Sequence, residues 1–265
     1  MKGILFYYSG SGNTKLASQY LTGKLTNCEF ELVDIHRDTI PDTQGYDVVA
    51  FATFCDHWGV PQRFIDFIES QQVAAEKPAF VFATYGFIVG KTLLHLGEMA
   101  TASGFKVVEA HSFHTPESFP PLIARGMGKE KYPTAGDLKR FHRFIDQLDE
   151  KLGQLKAGTE VPQAKISIGM NRMLRAFPRT QPRKVMGEKY VDESLCTECG
   201  ICKENCAYGA IELAPKPIFD MEKCYGCWAC FNHCPSKAIY TEKFRGVGHY
   251  PRPHKFLVEK LQTPA

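Results

Sequence analysis

The sequence predicts a doubly wound α/β parallel sheet followed by a small α+β unit organised around cysteines, and three observations carry that prediction. Over residues 1–152, short β-rich apolar runs alternate with amphipathic helical stretches. Eight of the ten cysteines then crowd between Cys196 and Cys234 at C-x-x-C spacings. A basic, proline-interrupted stretch separates the two regions. With 265 residues and 44% hydrophobic content, the chain has enough apolar material for two cores rather than one.

The candidate strands are residues 3–8, 29–34, 47–53, 79–85 and 105–113; the helical patterns between them are 14–24, 61–69, 89–103 and 135–152. Strands that alternate with helices need crossover connections, which set the strands parallel and cover both sheet faces. Two connections are longer than such folds need. Residues 111–133 hold Pro116, Pro120, Pro121, Gly126 and Gly128 and follow the last strand, where an open parallel sheet binds ligands, so a functional loop is expected there. Residues 156–189, broken by Pro162, Pro178 and Pro182, read as the linker. Its apolar set, Ile166, Ile168, Met170, Met173, Leu174 and Phe177, lies beside Arg172, Arg175 and Arg179. That pattern reads first as a segment packed between domains and second as a basic face for an acidic redox partner. The tail from Lys243, with Pro251, Pro253, Arg252 and Lys260, could wrap the cysteine-rich unit or stay mobile. The expected division is therefore 1–155, a linker at 156–187, a second domain at 188–242, and a tail at 243–265.

A net charge of +3, from 32 basic against 29 acidic residues, gives no reason to expect a nucleic-acid partner. The first residues lack the charged region, long apolar core and small-residue cleavage site of a signal peptide, and no apolar run is long enough to span a bilayer. The expectation is a cytoplasmic protein whose cysteines stay reduced or bind metal.

The cysteines fall in two runs, Cys196-x-x-Cys199-x-x-Cys202-x-x-x-Cys206 and Cys224-x-x-Cys227-x-x-Cys230-x-x-x-Cys234-Pro235. Beyond them, Cys206-Ala207-Tyr208-Gly209-Ala210-Ile211 parallels Cys234-Pro235-Ser236-Lys237-Ala238-Ile239, which indicates a duplicated half-domain. Structural zinc also uses C-x-x-C pairs, but not this four-cysteine run made twice. Residues 188–241 resemble the bacterial two-[4Fe-4S] ferredoxins, with Ala207 standing where that family usually has proline. Three cysteines of each run hold one cluster in that pattern while the fourth reaches the other. It implies one cluster on Cys196, Cys199, Cys202 and Cys234, and a second on Cys224, Cys227, Cys230 and Cys206.

After the first strand, Ser9-Gly10-Ser11-Gly12-Asn13-Thr14 leads straight into a helix. Glycines allow close backbone approach and a helix N-terminus offers unpaired N–H groups, so this turn suits a phosphate. It lacks the lysine of a nucleoside-triphosphate loop and the spacing of a dinucleotide fingerprint, which leaves a lone phosphate monoester. Residues 1–152 thus resemble the flavodoxins, whose first loop ends in Gly-Asn-Thr and holds the FMN phosphate. The resemblance implies strand order 2-1-3-4-5 and a flavin ring on the loops after the third and fourth strands. Here those loops supply Phe54, Trp58, Thr84, Tyr85, Gly86 and Phe87, with Trp58 and Tyr85 as candidates to stack on the ring. Thr115-Pro116-Glu117-Ser118-Phe119 is similar to a Met-Pro-x-Asn-Tyr element of flavodoxin-ferredoxin fusions, with Thr115, Ser118 and Phe119 departing from it.

Cys55 reads as a packed residue before it reads as a reactive thiol. His57, His111 and His114 lie at predicted strand ends, where histidine could move protons. Two cluster motifs and a flavin loop in one chain imply traffic between single electrons and electron pairs. Three functions stay open: a carrier between redox partner proteins, a flavin-dependent reductase of a small molecule fed by its own clusters, and an iron-sulfur redox sensor.

Overall fold

The computed structural model describes residues 1–73, 76–174 and 180–262. Strands β1 (Lys2–Tyr7), β3 (Val48–Phe54) and β4 (Lys77–Tyr85) are buried along nearly their whole length. Such uninterrupted apolar runs fit central parallel strands covered on both faces. The less completely buried β2 (Glu29–Asp34) and β5 (Phe105–His114) form the edges. All pairings are parallel and the order is β2-β1-β3-β4-β5, the flavodoxin-like order expected from the sequence.

Successive side chains of a strand point to opposite faces, so the sheet feeds two cores. Leu5, Ala50 and Phe82 face α1 (Asn13–Lys24) and α5 (Ala135–Lys156), where Leu21, Phe141 and Leu148 are fully buried. Ile4, Val49 and Val81 face α2 (Gln62–Ser70) and α3 (Thr92–Ala102), where Phe64, Ile68 and Leu96 meet them. Thr134 and Asp137 close a capping box at the start of α5. The registers Phe54↔Thr84 and Tyr85↔His114 bring the carboxyl ends of β3, β4 and β5 to one edge.

The chain between the units does not behave as a uniform linker. Val161 is buried, the Ala164 N–H donates to the Val107 carbonyl at 2.7 Å, and Ile166 fills the space over Gly97 so closely that a Cβ there would lie 2.1 Å from its Cδ1. Residues 161–166 are thus an extension of the first core. Met170 and Met173 are each 87% exposed, which does not match a packed interdomain segment. Phe177 of the apolar set and Arg175 and Arg179 of the expected basic face lie outside the described residues.

The second unit contains α6 (Thr180–Met186), β6 (Lys189–Val191), α7 (Ile201–Glu204), β7 (Ile211–Leu213), β8 (Pro217–Phe219), α8 (Ala229–His233) and β9 (Ile239–Thr241). Strands β6 and β9 pair antiparallel, as do β7 and β8. The sequence repeat reappears as a repeated bonding pattern. Asp192 N–H donates to Ala238 O while Asp220 N–H donates to Ala210 O, and Cys196 and Cys224 N–H donate to Asp192 and Asp220 O. A short helix α4 (Pro120–Ile123) sits in the long loop after β5.

The tail first lies along the cysteine-rich unit, where Phe244 meets Trp228 edge-on, Arg245 pairs with Asp192 and His249 stacks on Phe231, but it does not end there. It returns to the first unit, where α9 (Lys255–Gln262) packs on α1 and inserts Leu257 and Leu261 into the core shared by α1 and α5. Leu257 is fully buried, so Leu257→Ala should cost about 2–5 kcal/mol in urea unfolding. A cost below about 0.5 kcal/mol would mean that the tail is not part of this core.

Candidate functional site

The eight clustered cysteines surround two cavities. Cys196, Cys199 and Cys202 line the first together with Cys234. Cys224, Cys227 and Cys230 line the second together with Cys206. Each run therefore gives three thiols to one cavity and its fourth to the other. All ten cysteines are free. Among the described residues, no group of three or more His, Cys, Asp or Glu side chains is placed to hold a single metal ion.

Backbone shape makes the thiols converge. Positive φ angles occur at Glu198 (56°) and Gly200 (77°) in the first run and at Gly226 (87°) and Trp228 (64°) in the second. Cys206 and Cys234 each accept a bond from the N–H four residues on, Ala210 and Ala238, both at 3.2 Å. The two cavities differ in their other walls. The Cys206 side has the Lys189 ammonium, 8% exposed and 3.6 Å from Cys230 Sγ. Tyr208 Oη and Trp228 Nε1 are also buried on this side, without a hydrogen-bond partner. A buried ammonium against a cysteine sulfur, with two further buried donors on residues of the same wall, suits an anionic, sulfur-rich group. The Cys196 side is walled by Leu213, Pro217, Ile239 and Glu198, and Cys199 is exposed.

A third cavity of about 340 Å³ lies between the two units, within the range of small-molecule sites. Gly10 and Ser11 reach it from the loop after β1, Phe54 and Trp58 from the end of β3, and Gly86 and Phe87 from the loop after β4. Glu117 and Phe119 close it from the β5 loop, and Cys227 and Trp228 close it from the second unit. No backbone N–H from Gly10 to Thr14 finds an acceptor among the described residues, while the Lys15 N–H is taken up by Ser9 Oγ. A row of open N–H groups beside a cavity of this size fits a phosphate ester carrying a flat ring.

The remaining residues expected at the flavin site brace the loop and do not line the cavity. Asn13 Nδ2 donates to Pro116 O, and Asn13 Oδ1 accepts from Tyr250 Oη, both at 3.0 Å. Thr14 and Thr84 share a hydroxyl–hydroxyl bond of 2.9 Å. Gly12 has φ 88°, and a Cβ there would meet Pro253 Cδ at 2.9 Å. Tyr85 turns away and stacks on His114 with centroids 4.6 Å apart. Of the two stacking candidates, Trp58 alone faces the cavity.

The β5 loop is pinned rather than free to open as a lid. Glu117 Oε1 accepts the Ser118 and Phe119 N–H groups, Ser118 O accepts from Asn232 Nδ2, and Phe119 meets Trp228 edge-on at 6.1 Å. Burial raises the Glu117 carboxyl above its ordinary range. Tyr225 Oη donates to Asp56 Oδ2 (2.7 Å) and His233 Nε2 donates to Gly10 O (2.9 Å), adding two more ties between the units. Sequence reasoning missed Lys189, Tyr225, Asn232, His233 and Tyr250, because each contacts a residue more than forty positions away or on the other unit.

His57 is the one loop histidine on the cavity wall. His114 donates to Gly86 O, and His111 stacks on Phe144 at 4.7 Å. Cys55 also touches the cavity, where burial pushes its thiol up to about 12 and Sγ donates to Ile88 O at 3.2 Å, which fits a packed residue.

The family model described as a 4Fe-4S dicluster domain matches residues 195–238. Comparison with curated proteins gives no match. Among solved structures, an archaeal flavodoxin is 19% identical over 58% of this chain and 99% of its own, with a TM-score of 0.42. Flavodoxin 1 from Bacillus cereus is 18% identical over 58% of this chain and 98% of its own, with a TM-score of 0.41. The chain joins a sheet in the flavodoxin-like strand order to a 4Fe-4S dicluster domain. No helix among the described residues is long and apolar enough to cross a membrane.

Burial pushes the His111 imidazole down to about 4 from its ordinary 6.5. The unfolded chain then takes up a proton that the folded ring refuses, so stability is complete above 6.5 and is lost as the pH falls toward 4. His249, likewise buried, acts in the same window. Urea unfolding at pH 7 and pH 4.5 should show a smaller loss for His111→Phe than for the native chain; an unchanged loss would show that this ring does not govern the acid limb.

Proposed function

We propose that this protein moves electrons between FMN and two [4Fe-4S] clusters along a fixed internal path, linking one-electron and two-electron redox partners. The observation that carries the reading is the shared wall: Cys227 and Trp228 line both the interdomain cavity and the Cys206 cavity. Gly10, Ser11 and the open N–H groups of the first loop would hold the FMN phosphate, with Trp58 and Phe87 beside the ring. Cys224, Cys227, Cys230 and Cys206 would hold an inner cluster, and Cys196, Cys199, Cys202 and Cys234 an outer one. Bound FMN supplies two-electron chemistry and each cluster supplies one-electron transfer. The exposed Cys199 makes the outer cavity the natural contact for a protein partner, and ten free cysteines suit a reducing cytoplasm.

The pinned β5 loop favours a carrier, because a reductase would need that loop to admit substrate. The second reading, a reductase of a small molecule, is favoured by Asp56, His57 and Glu117, three titratable side chains on one cavity wall.

Purified without oxygen, the chain should carry about one FMN and about eight iron and eight sulfide per molecule. Ser11→Asp, which sets a negative charge against the phosphate position, should lower flavin occupancy at least tenfold and leave iron unchanged. Cys227→Ala should lose about half the iron and keep the flavin. Flavin binding that survives Ser11→Asp would move the phosphate site elsewhere, and full iron in Cys227→Ala would undo the ligand assignment.

A further inference from the structure

Lys189 is an unusual residue for its position. It lies on β6, is 8% exposed, and forms no ion pair with a carboxylate among the described residues. Its Nζ sits 3.6 Å from Cys230 Sγ and 4.5 Å from the Phe219 ring centroid. A buried ammonium is costly unless an anion compensates it, and here the atom nearest at hand is a cysteine sulfur, which a bound cluster would make anionic. Tyr208 and Trp228, on the same cavity wall, add two buried donors, Oη and Nε1, without an acceptor among the described residues.

The outer cavity is built in the opposite sense. Among the described residues the one charged side chain on its wall is Glu198, and Ser236 Oγ lies 3.6 Å from Cys234 Sγ. Lys216, on the same side of the unit, is already paired with Glu193 at 3.0 Å. Reducing an iron-sulfur cluster adds one negative charge, so a nearby cation and hydrogen bonds to sulfur raise its potential and a nearby carboxylate lowers it. Water around the exposed Cys199 works the other way, since it also stabilises the added charge. The ammonium acts at contact in surroundings nearly free of water, where the effective dielectric is several times lower, and its effect is the larger.

We propose that Lys189 sets the order of the two clusters, holding the inner one, next to the interdomain cavity, at the higher reduction potential. Electrons that enter at the exposed outer cluster then settle beside the flavin site, so the path runs inward. This inference rests on the proposed function and adds its direction. Lys189 is a positioning charge, and its effect is read as a potential rather than as turnover.

The test is a dithionite titration of the intact, cluster-loaded protein with mediators, followed by electron paramagnetic resonance, with iron and sulfide measured on each sample. The native protein should show two separate cluster reductions. Lys189→Met should shift the higher step to more negative potential and leave the lower in place, and Lys189→Arg should restore most of the shift. Independently of any Lys189 variant, Cys227→Ala, which keeps the outer cluster, should retain the lower step. Coincident steps in the native protein, survival of the higher step in Cys227→Ala, or an iron-replete Lys189→Met with unmoved potentials would overturn the inference. A native protein without cluster iron would overturn the functional reading instead.

Discussion

The turn from Gly226 to Trp228 must serve two cavities at once, and the arrangement of both units follows from that constraint. Gly226 has φ 87°, and a Cβ there would lie 2.7 Å from the Pro182 carbonyl carbon at α6, so the turn can approach α6 because it lacks a side chain. Two residues on, Trp228 holds φ 64°, a conformation costly for a bulky residue. Its counterpart in the first run is Gly200, which adopts the same region without that cost. Tryptophan stands where the repeat uses glycine, and its indole meets Phe119, Phe231 and Phe244 edge-on. The strained position thus places an aromatic wall between the thiols and the interdomain cavity, with Cys227 beside it.

That wall is useful only if the two units keep one relative position, and many modest contacts hold them there. Each neutral hydrogen bond contributes about 0.5–1.5 kcal/mol, so no one tie decides the geometry. The ties converge on the same few loops. Asn232 holds the Ser118 carbonyl with its amide and accepts the Tyr250 N–H, Tyr250 holds Asn13, and His233 holds Gly10. The loop over residues 10–13 is therefore braced from the second unit and the tail, and α9 anchors that tail in the first core. These contacts tie the cavity, the inner thiols and the loop to one another. A swinging domain would lose this fixed spacing and gain nothing that the exposed outer cavity does not already offer a partner.

The sheet was legible because its signals are local. Alternating apolar runs marked β1 to β5 to within two residues at their ends, and Gly12 marked the turn that opens α1. The cysteine runs were legible because cluster ligation fixes spacing. Side-chain direction at strand ends was not. Whether Tyr85 or Trp58 faces the cavity depends on where β4 stops pairing with β5, and the register at His114 turns Tyr85 away. The tail was opaque for another reason: Leu257 and Leu261 are an ordinary amphipathic pair until α1 offers an uncovered flank more than two hundred residues upstream. Lys189 opens a motif-poor strand, and nothing in its neighbourhood announces that Cys230 will sit against it.

The account stands on the shared wall acting as a path within one molecule. Flash reduction of the flavin in the oxygen-free, fully loaded protein, with cluster bleaching followed in time, tests this directly. The account predicts that electrons reach the clusters at a rate independent of protein concentration. A rate that rises in proportion to concentration would show that electrons pass between molecules, and the internal path would be contradicted.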